Sequence, residues 1–180
     1  MSDYASVPEP GAVRLERILP GPMERVWAYI TDPELRGTWF AGGPLELRVG
    51  GAVDLHYDHT LVSDEPIPEP FLSTAVGQRQ AGRVTRCEPP RLLAITWGEG
   101  RAMGEVTFEL SPSGGDTRLV LTHRRLPGEA ETIDAAGGWH AHLDVLQDRL
   151  DGGPVRPFWA AHQLLEEEYR RLVPELLRVR

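Results

Sequence analysis

Residues 104–126 read GEVTFELSPSGGDTRLVLTHRRL, and no other stretch restricts the fold so strongly. Val106, Phe108 and Leu110 alternate with Glu105, Thr107 and Glu109, which gives a strand one apolar and one polar face. Ser113-Gly114-Gly115-Asp116 is turn chemistry, and a second strand follows it. One packed face and one wet face is what an antiparallel sheet laid over a helix produces.

The rest of the chain supplies partners for this hairpin. GRVTRCEPPRLLAITW offers two strands about Pro89-Pro90, and VRLERIL (residues 13–19) alternates well enough for another. LELRVGGAVDLHY is a hairpin candidate turning at Gly50-Gly51, with Val53, Leu55 and Tyr57 on one side and Asp54, His56 and Asp58 on the other. Between strands, PGPMERVWAYITDPELRGTWF reads as two short helices. Pro22 opens the first and Val26, Trp27 and Ile30 share a face; Asp32 caps the second, with Pro33 at its first position, and Trp39 and Phe40 end it. Residues 63–80 are acidic and proline-rich at the front and read as a long loop, either a lid or an insertion without function. The last third is helical. Trp139, Leu143, Leu146 and Leu150 form one stripe from a start at GGWHAHLDVL, and Gly152-Gly153-Pro154 ends it. A further amphipathic segment carries Phe158, His162, Leu165, Tyr169 and Leu172 until Pro174 interrupts it.

Composition closes off several classes of function. The chain of 180 residues carries a net charge of −8, with 27 acidic residues against 19 basic ones, so nucleic acid is not expected as a partner. No apolar run reaches the roughly 20 residues of a membrane span. The start, MSDYASVPEP, lacks the basic and apolar regions of a secretory signal. Cys87 stands alone, which excludes an intrachain disulfide and suits a reducing, cytoplasmic setting. Neither a phosphate-cradling glycine loop nor a Gly-x-Ser-x-Gly elbow occurs, so ATP binding and serine nucleophilic catalysis find no support.

Four segments, MERVWAYITDPELRGTWF, GRVTRCEPPRLLAITW, GEVTFELSPSGGDTRLVLTHRRLP and GGWHAHLDVLQDRLDGG, stand in an order that resembles the START-like helix-grip (SRPBCC) proteins. The branch they are most similar to is related to the C-terminal domain of the activator of heat-shock-protein-90 ATPase. The resemblance covers roughly residues 13–153 and implies an α+β helix-grip fold. A curved antiparallel sheet of about six to seven strands wraps a long C-terminal helix, with two short helices after the first strand. Residues 1–12 are then a flexible leader and residues 154–180 a C-terminal helical extension. The resemblance also implies a cavity between sheet and helix, which in relatives holds apolar molecules or an active site, while the eukaryotic activator works through protein contacts.

Candidate site residues follow. Trp39, Phe40, Trp97, Phe108 and Trp139 either line such a cavity or fill it, and Leu143 and Leu146 belong to the inward stripe of the long helix. His140 and His142 lie about 200° apart on a helix and so cannot chelate one ion. His142 sits at the shoulder of the apolar stripe, as a packing residue or a hydrogen-bonding group at the cavity edge; His140 sits on the opposite shoulder. Asp54, His56 and Asp58, about 7 Å apart along a strand, permit an Asp–His pair, though such groups on a wet face ordinarily serve solubility. His59 and His123 have no partner in sequence. No metal and no cofactor is expected.

The leading expectation is therefore non-catalytic binding of a small hydrophobic or amphipathic ligand. Two others stand beside it: a protein-interaction module regulating a chaperone ATPase or another partner, and a cavity enzyme of the cyclase or aromatase type working through His142. The apolar face from Phe158 to Leu172 either docks on its own domain or forms a homodimer.

Overall fold

The computed structural model describes residues 3–98 and 103–178. Strand β1 (Val13–Leu19) is followed by helices α1 (Met23–Thr31) and α2 (Pro33–Gly37), then by β2 (Ala52–Asp58), a short α3 (Leu72–Ala75), β3 (Val76–Glu88) and β4 (Leu92–Trp97). Strands β5 (Gly104–Ser113) and β6 (Asp116–Arg124) precede two long helices, α4 (Glu129–Asp151) and α5 (Phe158–Arg178). The six strands form one antiparallel sheet in the order β1-β6-β5-β4-β3-β2.

Alternation decides which face is dry. Leu93 and Ile95 of β4, Val106, Phe108 and Leu110 of β5, and Leu119 and Leu121 of β6 are all buried, each worth about 1.5–3 kcal/mol of apolar burial. They pack beneath α4, whose Trp139, Leu143, Leu146 and Leu150 are buried as the stripe predicts. Asp32 caps α2 as expected, its carboxylate accepting from the backbone N–H groups of Glu34 and Leu35 at 2.9 and 3.0 Å. In the last turn of α2 the buried Arg36 guanidinium donates to the carbonyls of Ala41 (2.8 Å), Thr31 (3.0 Å), Gly42 (3.2 Å) and Gly43. Burial lowers its pKa to about 10. That fan of bonds fixes the turn presenting Trp39 and Phe40.

Four expectations need correction. Residues 45–49 make no strand: Leu45 touches Val53 through a single bridge, and the chain then folds back on itself through Arg48 N–H to Glu46 O and Gly51 N–H to Arg48 O. Leu47 and Val49 stay 43% and 66% exposed, so no apolar face is available to drive a ladder. Residues 63–80 are not one loop, because Glu69–Phe71 form a 3-10 turn, α3 follows, and Val76–Gln80 already belong to β3 opposite β2. Helix α4 starts at Glu129, eight residues before Gly137. Helix α5 runs through Pro174 to Arg178, and Val173 beside the proline is buried. The apolar face of α5 docks on its own chain, with Phe158, Trp159, Leu165, Tyr169 and Val173 buried, which is one of the two outcomes the sequence leaves open.

The amino-terminal residues read as a flexible leader meet the body at several points. Ala5, Val7 and Ala12 are buried, Ser6 bridges Arg14, and the Ala5 N–H donates to the Tyr169 hydroxyl at 2.7 Å. Arg17 on β1, Asp144 on α4 and Arg156 before α5 form a chain of ion pairs at 3.1 and 2.9 Å across the same side. Among the described residues no helix is long and apolar enough to cross a membrane.

Candidate functional site

Helix α4 presents a stripe at helical spacing to the concave sheet: Glu131, Asp134, Ala135, Gly138, Trp139 and His142. The middle of that stripe is small. A Cβ placed on Gly138 would meet nothing within 4 Å, so the helix stands off the sheet there. The gap is a cavity of about 380 Å³, inside the range of about 300–1,000 Å³ usual for small-molecule sites.

Its other walls come from four separate places in the chain. Phe40 follows α2, Tyr57 sits near the end of β2, Trp97 ends β4 and His123 sits near the end of β6. Phe40 organises the rings: its centroid lies 4.9 Å from Trp139, 5.2 Å edge-on from His142, 5.6 Å from Tyr57 and 6.0 Å, stacked, from Trp97. Arg125, Leu126 and Pro127 form the rim facing Glu131 and Asp134.

Of the sequence-predicted residues, Phe40, Trp97, Trp139 and His142 meet at this cavity. Trp39, Phe108, Leu143 and Leu146 do not line it and belong to the buried core. Trp39 instead donates its indole N–H to the Tyr29 carbonyl at 2.8 Å, and its own carbonyl accepts from His142 Nδ1 at 2.7 Å.

The histidines separate as helical geometry requires. His142 is buried, and burial, then the neighbouring His59, push its pKa well below the ordinary 6.5. His140 faces the other way, with Nδ1 bonded to the Tyr169 hydroxyl at 2.9 Å; burial lowers its pKa while Asp144 opposes the shift. The Asp54–His56 pair forms at 3.1 Å and is shared with Arg79, on the exposed side of β2 and away from the cavity. Asp58 takes no part in it and caps the turn at Thr60.

Sequence reasoning missed His123. It is buried, receives the Trp139 indole N–H at Nδ1 (3.2 Å), and has a pKa pushed down to about 4 by burial. The signal was present: Thr117, Leu119, Leu121 and His123 are alternate residues on one strand, and all four are buried. Glu131, Asp134 and Ala135 were missed because the helix was expected to begin after them.

A second cavity of about 340 Å³ lies behind the first, against His59, Phe71, Phe158, Trp159 and His162, and shares the Tyr57 and His142 wall. The backbone N–H groups opening α5 there are held by Ser63 Oγ at 3.3 Å and by Glu65 Oε2 at 2.7 Å.

A curved antiparallel sheet gripping a long helix across an aromatic cavity defines a helix-grip protein. The family model described as Activator of Hsp90 ATPase homolog 1-like protein matches residues 20–151, and the chain belongs to that family. Among solved structures it is similar to BPP1335 from Bordetella parapertussis, with 41% identity, a TM-score of 0.80 and coverage of 94% of this chain and 92% of that one. CalU16 from Micromonospora echinospora shows 28% identity and a TM-score of 0.69 over 93% and 92% of the two chains. The fold recurs in EF2215 from Enterococcus faecalis, a conserved protein of unknown function, with 19% identity and a TM-score of 0.66 over 98% and 92%. No curated protein matches the chain.

Proposed function

We propose that this chain binds a small hydrophobic or amphipathic molecule between its sheet and α4, without transforming it. The observation that carries the reading is the pairing of Ala135 and Gly138 with four surrounding aromatic rings. A helix face selected for a filled core would place large side chains at those two positions, since an open cavity lowers stability. Aromatic walls supply apolar contact, and His142 is a polar group able to orient the ligand. Phe71, Thr74 and Ala75 wall the neighbouring cavity, and the segment that carries them is its candidate lid.

The test is a mass spectrum of small molecules extracted from natively purified protein, compared with a Gly138→Phe variant that fills the cavity. A compound held by the native chain and absent from the variant supports binding. Empty native protein that stimulates a chaperone ATPase points instead to a protein-interaction module.

A further inference from the structure

We infer that the first turn of α5 is a proton-sensitive latch on the second cavity: protons taken up by the imidazoles around Phe158 release that turn from the body and open the wall it forms. The inference is independent of the ligand reading of the first cavity.

Three imidazoles from three parts of the chain converge on one ring. The Phe158 centroid lies 4.6 Å from His142 of α4, 5.2 Å from His59 just after β2 and 5.8 Å from His162 one turn further along α5. His59 and His142 are themselves 5.4 Å apart. Two of the three sit on the body and one on the latch, so charge on them acts across the junction. Phe158, Trp159 and His162 form the α5 side of the second cavity.

The junction is built for neutral rings. His59 Nδ1 bonds the Ala75 carbonyl at 2.9 Å and His142 Nδ1 the Trp39 carbonyl at 2.7 Å. Among the described residues the histidines within 4 Å of a carboxylate are His56 and His140, neither of them in this cluster. The charged groups nearby are Asp58 beside His59, Asp134 of α4 and Glu166 of α5 beside His162, and Glu65 at the backbone N–H groups of Trp159 and Ala160. Glu166 is already paired with Arg170. Burial outweighs these carboxylates and lowers the pKa of His59, His142 and His162, and each of the three repels another once charged.

The same turn is the least satisfied part of the α5 interface. Trp159 Nε1 and His162 Nδ1 are buried without a hydrogen-bond partner among the described residues, a cost that contact with water removes. What holds the turn is local: Phe158 N–H to Ser63 Oγ and Trp159 N–H to Glu65 Oε2. Leu165, Tyr169 and Val173 are buried further along and anchor the rest of α5 while its first turn opens.

An imidazole held below 6.5 in the closed latch and returned to about 6.5 in the open one favours opening as the pH falls through that value. From pH 7.5 to 5.5 each such group moves the opening equilibrium by up to about tenfold.

Hydrogen exchange of the full chain at the two pH values, corrected for the intrinsic pH dependence of exchange, tests the latch. Protection of residues 158–162 is expected to fall about tenfold or more beyond that of residues 165–173 and of β5–β6. His162→Phe keeps an aromatic ring in the turn and deletes one titrating group, so the fall at residues 158–162 should shrink by up to about tenfold. An equal fall in all three regions, no fall at residues 158–162, or a His162→Phe response equal to the parent's overturns the latch and leaves the ligand reading of the first cavity standing.

Discussion

Lowering the pH from 7.5 to 5.5 will destabilise this protein, and His123 will account for a definable part of the loss. The unfolded chain protonates this imidazole near the ordinary value of 6.5, whereas the folded chain holds it down at about 4 because the ring is buried. A folded pKa below the unfolded one means that the unfolded state binds the extra proton. Stability is therefore complete above about 6.5 and drains away as the pH falls towards about 4. Over that whole interval the separation amounts to about 3 kcal/mol at 1.36 kcal/mol per pH unit. Between pH 7.5 and 5.5 the same titration removes about 1.4 kcal/mol. Replacing His123 by Gln keeps an acceptor for the Trp139 indole and deletes the titration. Urea unfolding of both proteins at the two pH values measures it: the variant should lose about 1.4 kcal/mol less than the parent. Equal losses would refute the reasoning, since they would mean that His123 is as easily protonated folded as unfolded. His59, His140, His142 and His162 are lowered by burial in the same way, so the parent should lose more than His123 alone explains.

The adjacent glycines of α4 should respond oppositely to enlargement. Gly138→Ala adds a methyl where nothing lies within 4 Å and should raise stability by about 1 kcal/mol through helix propensity. Gly137→Leu should lower it by about 1–3 kcal/mol, because a Cβ there already stands 3.6 Å from the backbone of Glu166 on α5; thermal melts distinguish the two. Arg36→Met removes a donor from at least four carbonyls, of which Gly42 keeps the His56 N–H, and should cost about 3 kcal/mol in denaturant titration. A chain ending at Gly153 exposes the surface of α4 that Phe158, Trp159 and Tyr169 cover, and sedimentation should show more self-association than the full chain does.

The sheet was legible because its apolar residues alternate in sequence: β5 and β6 run where that alternation places them, and Ser113–Asp116 makes the turn, although Thr107 of β5 and Val120 and Thr122 of β6 are buried as well. The first two turns of α4 were not, for a reason that bears on function. An apolar stripe announces a helix only where the helix has something to pack against. Above the cavity the inward residues are Glu131, Asp134, Ala135 and Gly138, so no stripe exists to read. The early part of β3 hid for a related reason. Val76 to Arg79 are exposed on both faces and owe their strand to backbone pairing with β2. The site was half legible: aromatic type found Phe40, Trp97 and Trp139, but type alone could not separate them from the equally aromatic core at Trp39 and Phe108.

The strand order carries a kinetic consequence. From β2 to β6 every strand lies beside its neighbour in sequence; three of the four pairings close by short connections, and β2–β3 closes across residues 59–75. Only β1 on β6 joins distant segments, Val13 opposite His123. Relative to a ten-residue connection, closing that loop costs about 2 kcal/mol more in chain entropy. The β2–β6 meander is thus the part able to form on local contacts, and β1 the part that must wait for it. Stabilising changes in β1 then act chiefly by slowing unfolding, while changes in the β5–β6 turn act chiefly on the rate of folding.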